Sequence, residues 1–359
     1  MFNITSSDNL DMPVFPKIQI PQKDWKDGII VRMPNWLGDA VMATPALLQL
    51  RKIIPKNCGL FVITTPELFD YFSAISIIDV VIPLTQKHSN WSKEDRIKIK
   101  KIKAGAALMF NNSLRDAIFL KLSGIKNLYG AAARGRSIIL SKAFHFPKIA
   151  DKKLNKLHHA VKYLSMVYAF GAPKWDGQLP EFHIEKQTET ISTALNDVLN
   201  SKNLLVVAPG AAYGDAKRWP TEYFQKVCEY WLNNNGQVAI VGTNAELPVA
   251  KKLIKTSQTK AIYNLAGKTN LDELILVLQK AKQCVANDSG VMHLSAIAGG
   301  SGVAIFGSTD PTSTSPVSNK WTVLYEKEEC SPCFQRICPQ NTYKCLKKIT
   351  PNKVIKLLS

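Results

Sequence analysis

The sequence lacks the motifs of the commonest nucleotide-binding enzymes. No G-x-G-x-x-G follows the first predicted strand, and no G-x-x-x-x-G-K-S/T occurs anywhere in the 359 residues. These two absences argue against a standard dinucleotide-dependent enzyme and against a P-loop nucleotidase. A D-x-D pair is also missing, so no obvious carboxylate pair is available to hold a divalent cation on a diphosphate.

Secretory and membrane-spanning segments are missing as well. The start of the sequence carries acidic side chains and has no basic segment followed by an apolar run, so it does not resemble a secretory signal. The longest uncharged stretch, residues 289–309, contains glycines, serines and a histidine, which predicts a short helix and a strand. We therefore expect a cytoplasmic protein.

Acidic residues are few compared with basic ones. The chain has 46 Lys and Arg against 28 Asp and Glu, which gives a net charge of +18 at pH 7. Such a charge attracts a polyanion, and nucleic acid, anionic lipid and phosphorylated glycolipid all qualify. Residues 87–103 are strongly basic, and their pattern predicts a helix. This helix either binds an anionic partner or is simply a solvated helix face, which is the more usual outcome. A second basic region contains Arg134, Arg136, Lys142, Lys148, Lys152, Lys153 and Lys156.

Apolar runs that alternate with helical patterns predict two α/β domains, because strands buried in parallel sheets read as continuous apolar runs. We expect two doubly wound, Rossmann-like domains that face each other across a cleft. An extension is expected at residues 1–27, the first domain at 28–175, and the second, with a cysteine-containing tail and a terminal helix, at 176–359. The expected strands are 28–33, 60–64, 80–84, 106–110, 204–208, 237–241, 283–286 and 303–306.

Open parallel sheets bind ligands beyond the carboxyl ends of their strands, so the strand-to-helix junctions are candidate sites. The first junction contains Asn35, Trp36, Gly38 and Asp39. Asp39 is either a helix N-cap, the commoner role of an aspartate there, or a functional carboxylate. Gly38 lets a ligand approach closely.

The second junction, residues 209–220, is a loop of small residues that delivers Lys217 and Arg218 just before a predicted helix. Cations and a helix N-terminus both stabilise negative charge, so this loop suits a diphosphate. A further junction follows at residues 242–246. There, Glu246 either accepts hydrogen bonds from a ribose diol or lies on the surface of the next helix.

The remaining junction, residues 287–293, also opens a helix. Backbone N–H groups and the Ser289 hydroxyl are suited to hold phosphate or ribose. Asp288 either takes part in that site or caps the helix. His293 lies one turn along the helix, where a histidine is either structural or functional.

In order and spacing, these junctions resemble glycosyltransferase family 9, the bacterial heptosyltransferases. The likeness extends from Ile29 to Val354. The AKRWP block and the cysteine-rich tail most resemble the branch that adds the second heptose of the lipopolysaccharide inner core. The segments that carry the resemblance are WLGDAVMATPAL, PGAAYGDAKRWP, NLAGKTNLDEL, NDSGVMHLSA, FGSTDP and CSPCFQRICP.

The resemblance implies a GT-B fold whose first domain binds the acceptor and whose second domain binds the donor. It implies ADP-L-glycero-β-D-manno-heptose as donor and the first heptose of an anionic lipid A-Kdo-heptose glycolipid as acceptor. Transfer is expected to invert the anomeric carbon without an essential metal or any cofactor. We expect a monomer that binds no nucleic acid and whose basic patches allow contact with the inner face of the inner membrane.

The resemblance also implies residue roles. Asp39 matches the general base, Lys217 the diphosphate-binding lysine, and Glu246 the glutamate that holds the ribose. Ala212 and Tyr213 stand where the type I branch has two threonines, which favours type II. The expected donor-binding residues are Gly210, Ala212, Lys217, Arg218, Glu246, Asp288, Ser289, Gly290 and His293, and the expected acceptor-binding residues are Asn35, Trp36, Gly38, Arg134 and Arg136.

Two other functions stay open at this point. One is a heptosyltransferase of type I or III, with the same chemistry and a different core acceptor. The other is a non-catalytic protein that binds nucleic acid or anionic lipid, which the charge supports. The sequence contains nothing that resembles a helix-turn-helix, an RNA-binding sheet motif or a zinc finger.

A cluster of cysteines near the end has the spacing Cys330-x2-Cys333-x4-Cys338-x6-Cys345. Four thiolates are able to hold zinc tetrahedrally, and a packed, metal-free loop is the alternative. We favour the metal-free loop because the spacing lacks a second C-x2-C knuckle. Disulfides are not expected in a reducing cytosol.

Overall fold

The computed structural model describes residues 25, 27–85, 90–145, 158–184, 192–254 and 261–358. The chain divides into two compact units between His183 and Ile184, so the boundary expected at residue 175 lies within the N-terminal unit. Of the expected N-terminal extension, only Trp25 and Asp27 are described. No helix in the described ranges is long and apolar enough to cross a membrane.

The N-terminal unit contains a six-stranded sheet in the order β3-β2-β1-β4-β5-β6, with every neighbouring pair parallel. Its central strands are wholly buried, as their apolar sequences require. The strands are β1 (Ile29–Arg32), β2 (Leu60–Thr64), β3 (Val80–Pro83), β4 (Ala106–Met109), β5 (Asn127–Ala131) and β6 (Lys142–Phe144), and the helices are α1 (Leu37–Arg51), α2 (Phe69–Ser73), α3 (Lys93–Ile102), α4 (Leu114–Leu122) and α5 (His159–Ala169).

The C-terminal unit repeats this plan with a six-stranded parallel sheet in the order β12-β11-β10-β7-β8-β9. The strands are β7 (Leu204–Ala208), β8 (Gln237–Ile240), β9 (Ile262–Asn264), β10 (Gln283–Asn287), β11 (Gly302–Phe306) and β12 (Trp321–Tyr325). The helices are α6 (Thr193–Asn200), α7 (Thr221–Asn233), α8 (Leu247–Leu253), α9 (Leu271–Lys280), α10 (Gly290–Ile297), α11 (Pro311–Thr314), α12 (Lys344–Lys347) and α13 (Pro351–Ile355).

Each sheet reverses its strand order once, between β1 and β4 and between β7 and β10. Because crossovers between parallel strands are right-handed, helices on the two sides of such a reversal lie on opposite faces of the sheet. The connections leaving the two central strands therefore separate, which opens a crevice beyond the strand ends. The junctions singled out in the sequence, residues 35–39, 209–220 and 287–293, lie at these two reversals.

Each strand expected from the sequence is present to within one residue at either end. The basic segment 87–103 contains α3, while residues 87–89 lie outside the described ranges, as do Lys148, Lys152, Lys153 and Lys156. The sequence analysis missed β5, β6, β9 and β12. Three of these are edge strands, which pair with a neighbouring strand on one side only. Two of them, β6 and β9, are also only three residues long, which is too short for a clear apolar run.

Candidate active site

A buried asparagine joins the two central strands of the C-terminal sheet at their carboxyl ends. Asn287 ends β10, and its Nδ2 donates to Pro209 O at 2.8 Å and to Gly210 O at 3.3 Å. Its Oδ1 accepts from Trp219 N at 3.0 Å. One side chain thus fixes both ends of the loop that carries Lys217.

Lys217 is held beside the start of α10 by a buried carboxylate. Its Nζ donates to Asp288 Oδ2 at 2.5 Å, and Thr309 Oγ1 donates to the same oxygen at 2.6 Å. The side chains of Lys217 and Asp288 are only 13% and 5% exposed. Asp288 therefore positions Lys217, and the N-cap of α10 is Ser289 and not Asp288. A part for Asp288 in donor binding stays a prediction.

The N-terminus of α10 lies next to this cation and offers hydrogen-bond donors to a ligand. The N-cap is Ser289, whose backbone is extended and whose side chain makes no capping hydrogen bond. Within the described residues its Oγ is buried and has no hydrogen-bond partner. Gly290 begins the helix, and His293 is buried one turn later. Free backbone N–H groups, a hydroxyl and a lysine together form an anion-binding arrangement.

Glu246 lies over the neighbouring strand ends. Its Oε2 accepts from Thr243 N at 2.7 Å and from Thr243 Oγ1 at 3.2 Å. A Cβ on Gly210 would lie 1.7 Å from Glu246 Oε1, so a side chain there would displace the glutamate. The carboxylate is half-buried at the same sheet edge as the Lys217 loop, and with Thr243 it forms a capping box at the start of the next helix. Ribose binding by Glu246 stays a prediction.

The cysteine-containing tail packs directly on the Lys217 loop, a contact that the sequence analysis missed. Tyr213 Oη donates to Phe334 O at 2.6 Å, and Ala216 N donates to Arg336 O at 3.0 Å. Two cations lie over the Tyr213 ring, with Lys217 Nζ at 5.0 Å and Arg336 Cζ at 5.4 Å from its centroid. The tail is thereby joined to the loop by two hydrogen bonds, and it places the exposed cation Arg336 beside the loop.

Two expected donor residues lie in the outer part of the same loop. Ala212 is exposed. Arg218 Nη1 donates to Asp215 Oδ1 at 2.8 Å, and the two side chains are 34% and 60% exposed. Arg218 is therefore engaged by a surface carboxylate, whereas Lys217 is directed toward the start of α10.

In the N-terminal unit, Asp39 lies in the first turn of α1, and the N-cap of that helix is Trp36. Asp39 is therefore not the N-cap, so the commoner role of an aspartate at a helix start is wrong here. Its Oδ1 lies 3.3 Å from His159 Nδ1 at the start of α5, and both side chains are half-buried. Burial, with a smaller contribution from the charge of Asp39, raises the pKa of Tyr163 one turn along α5.

A buried charge network orders the loops around Asp39. Arg32 Nε donates to Asp116 Oδ2 at 2.8 Å, and Arg32 Nη2 donates to Asn35 Oδ1 at 2.7 Å. Burial alone would raise the pKa of Asp116, but the charge of Arg32 and hydrogen bonds from Asn111 and Ser113 hold it below its usual value. The hydrogen bond from Arg32 thus holds the Asn35 side chain in place. Trp36 and Gly38 follow Asn35 in the chain, just after the end of β1.

The two arginines expected to bind an acceptor have different environments. Arg134 is exposed, in a left-handed backbone conformation with φ of 50°. Arg136 is fully buried, and its guanidinium donates to Ala131 O at 2.8 Å and to Asn111 O at 2.5 Å. Burial lowers its pKa to about 10. Because Arg136 is fully buried, we no longer assign it a direct contact with the acceptor. Its hydrogen bonds join the chain after β5 to the chain after β4, which is a structural role.

The family assignment rests on the sequence of most of the chain. A family model described as "Glycosyltransferase family 9 (heptosyltransferase)" matches residues 96–344. The chain belongs to glycosyltransferase family 9. The matched range contains the Lys217 loop, Glu246, the start of α10 and most of the tail, whereas the first junction, residues 35–39, lies before it.

Two curated relatives in this family match nearly the whole chain. Lipooligosaccharide heptosyltransferase 2 of Campylobacter jejuni strain NCTC 11168 is 30% identical over 337 residues, which are 91% of this chain and 96% of the relative. Lipopolysaccharide heptosyltransferase 2 of Escherichia coli K12 is 23% identical over 92% of this chain and 97% of the relative. Family 9 membership thus extends over both units.

The solved structure of E. coli ADP-heptose LPS heptosyltransferase II has the same fold. It superposes with a TM-score of 0.75 at 21% identity and covers 92% of this chain and 97% of that one. This likeness, with the two parallel six-stranded sheets, confirms the predicted GT-B fold of two Rossmann-like domains.

The four tail cysteines of this family 9 chain are free thiols. Cys330 is exposed, and Cys333, Cys338 and Cys345 are half-buried. In the part of the chain that the structure describes, no group of three or more His, Cys, Asp or Glu side chains is placed to hold a metal ion. Burial raises the pKa of Cys345, with smaller contributions from the other three cysteines. At Cys338 burial acts in the same direction, but hydrogen bonds from residues 340, 342 and 343 outweigh it and lower the pKa.

We expect the purified protein to contain much less than one zinc ion per chain, because the tail is held by hydrogen bonds to the Lys217 loop and not by a tetrahedral ligand set. Elemental analysis of protein prepared without chelators measures this. The variant Cys330→Ser, Cys333→Ser is the control for adventitious zinc. A stoichiometric ion in the wild type that this variant loses would contradict the metal-free loop.

Proposed function

We propose that this chain transfers L-glycero-D-manno-heptose from ADP-L-glycero-β-D-manno-heptose to the first heptose of the lipopolysaccharide inner core, with inversion. The observation that carries the proposal is the Lys217–Asp288 pair at the start of α10, which holds a largely covered cation, 13% exposed, where a nucleoside diphosphate would bind. Support also comes from relatives that bear the name heptosyltransferase 2 and match both units.

The donor is assigned to the C-terminal unit. Lys217, the first N–H groups of α10 and Ser289 Oγ would hold the diphosphate, because each stabilises negative charge. Glu246 would accept from the ribose hydroxyls, with Gly210 beneath it. Gly290 lets the diphosphate approach the helix, and His293 is assigned to packing under this turn. Ala212 and Arg218 would flank the donor from the outer part of the loop.

The acceptor is assigned to the carboxyl ends of β1 and β4. Asn35, Trp36 and Gly38 would contact it around Asp39, and Arg134 would bind its anionic groups. In the proposed reaction the acceptor hydroxyl attacks the anomeric carbon from the face opposite ADP. Asp39 takes the hydroxyl proton as the new bond forms, and Lys217 stabilises the charge on departing ADP in place of a divalent cation.

The enzyme is proposed to work as a monomer at the cytoplasmic face of the inner membrane. Its second candidate function is a type I or III heptosyltransferase, which would differ only in the acceptor. Nucleic-acid binding is not proposed, since no observation besides the net charge favours it.

A direct assay tests the proposal. Purified protein is incubated with ADP-heptose and core acceptors that carry no heptose, one heptose or two. We expect transfer to the acceptor with one heptose, and an anomeric configuration in the product, read by NMR, that is opposite to that of the donor. Transfer to the heptose-free acceptor would indicate type I, and absence of transfer with all three would overturn the proposal.

Arg134→Ala is expected to raise the KM for the acceptor by about two- to fivefold, the factor that an exposed charge pair of up to about 1 kcal/mol gives. The KM for ADP-heptose should stay unchanged, because charge attraction at moderate salt is screened over about 10 Å. Steady-state kinetics with each substrate varied in turn measures both constants. An effect confined to the donor KM would refute the assignment of the acceptor to the N-terminal unit.

Arg136→Ala is the matched comparison for this prediction. Because the Arg136 guanidinium is buried on backbone carbonyls, we expect its loss to lower the free energy of unfolding, by about 1–3 kcal/mol for the acceptors left unsatisfied. If Arg136→Ala changed the acceptor KM and left stability unchanged, Arg136 would contact the acceptor directly, as the sequence predicts.

A further inference from the structure

The outer face of α4 exposes a row of aliphatic side chains. Leu114, Ile118 and Leu122 are 36%, 41% and 63% exposed. Residues spaced by four lie in one row along a helix, so these three form a continuous stripe. The opposite side of α4 packs Ala117 and Leu120 into the core of the sheet. None of the three stripe residues belongs to that buried core.

Neighbouring segments on this side of the sheet are also apolar at their surface. α3 contacts α4 and exposes Ile97, while Ile99 packs into the same core as α4. After β5, Ile138 is 92% exposed, and Leu140 close by packs into that core. Several large aliphatic side chains thus remain in water on one side of one unit, which marks an interaction surface.

The exposed charges of α3 and α4 are almost all positive. The exposed acid is Glu94, whose Oε1 is 2.7 Å from Lys98 Nζ, and Asp95 and Asp116 are buried. Both helices lie wholly within the described residues, so this balance includes every side chain on them. The exposed basic side chains of α3 and its C-cap are Lys93, Lys98, Lys100, Lys101 and Lys103.

We propose that this α3–α4 face, formed by Ile97, the stripe on α4 and these lysines, binds the surface of an anionic lipid bilayer. Aliphatic side chains insert at the boundary between headgroups and acyl chains, and lysines beside them bind anionic headgroups. A nucleic acid would use the lysines and leave the stripe exposed. The proposal stands on the N-terminal unit alone and does not depend on which sugar is transferred.

Vesicle flotation tests this surface without measuring catalysis. Full-length protein is mixed with vesicles of phosphatidylcholine alone or with vesicles half of whose lipid is phosphatidylglycerol. We expect binding to the anionic vesicles that falls as salt is raised, because headgroup attraction is screened. The variant Ile118→Glu, Leu122→Glu should lower the partition coefficient by about tenfold or more, since it removes insertion and adds repulsion.

Matched variants separate the two contributions. Tyr230→Glu places an acid at an exposed position of α7 in the other unit and should leave vesicle binding unchanged. Lys100→Glu, Lys101→Glu should abolish the preference for anionic vesicles. Circular dichroism melting verifies that each variant is folded. Equal binding of wild type to both vesicle types, or wild-type binding by a folded Ile118→Glu, Leu122→Glu variant, would overturn the proposal. So would a wild-type dimer in gel filtration that this variant converts to monomer, because the occupant would then be a second copy.

Discussion

Lys217→Ala is expected to lower the kcat of heptose transfer by about a hundredfold or more, the loss typical of removing one preorganised group that stabilises transition-state charge. ADP departs with negative charge developing on its diphosphate. Because Asp288 holds Lys217 Nζ at 2.5 Å, the cation is in place before the reaction and does not have to reorganise. Single-turnover rates at saturating ADP-heptose separate the chemical step from donor binding and product release.

Stability has to be controlled in this experiment, because Lys217→Ala leaves a buried carboxylate without its cation. Breaking such a pair destabilises a protein by about 3–5 kcal/mol. The double variant Lys217→Ala, Asp288→Asn removes both charges, so we expect it to recover stability but not kcat. Arg218→Ala is the neighbouring surface comparison. A folded Lys217→Ala enzyme within about twofold of the wild-type kcat would show that Lys217 lacks this role, and Arg218 would be the next candidate.

The central sheets could be predicted from the sequence because their strands are buried on both faces. β7, with the sequence LLVVA, is wholly buried, and such a run has no amphipathic alternative. β5 was missed although it is internal, since NLYGA is interrupted by a glycine. A contact with a residue outside the strand accounts for this glycine, because a Cβ on Gly130 would lie 3.2 Å from Arg136 Nη2. A contact of this kind leaves no local signal.

The positions of the candidate site residues were also predictable, but their pairings were not. Lys217 and Asp288 each follow a strand in the sequence, yet they are 71 residues apart. Only the adjacency of β7 and β10 in the sheet brings them together. The burial of Arg136 could not be predicted either, since a basic residue in a basic segment is normally exposed.

The environment of Asp39 is the part of the site that depends most on tertiary structure. Its partner His159 is 120 residues away in sequence, and it comes into reach because α1 packs on α5. Tyr163 lies on the same helix, and its raised pKa keeps the phenol neutral, so it does not compete as a proton acceptor. Asp39 is thus the half-buried carboxylate of this turn, oriented by His159 and separate from the N-cap.

Asp39→Asn is accordingly expected to lower kcat by about 10²–10⁴, the contribution of a positioned general base. The acceptor hydroxyl is a poor nucleophile at neutral pH, and the proposed single displacement needs a carboxylate to take its proton. Asparagine has the same shape and keeps an oxygen toward His159, but it is not basic enough to accept that proton. Because Trp36 is the N-cap of α1, the melting temperature should change little. Measuring kcat and thermal melting on the same preparations separates the two effects, and a folded Asp39→Asn enzyme with near wild-type kcat would mean that the base is another residue.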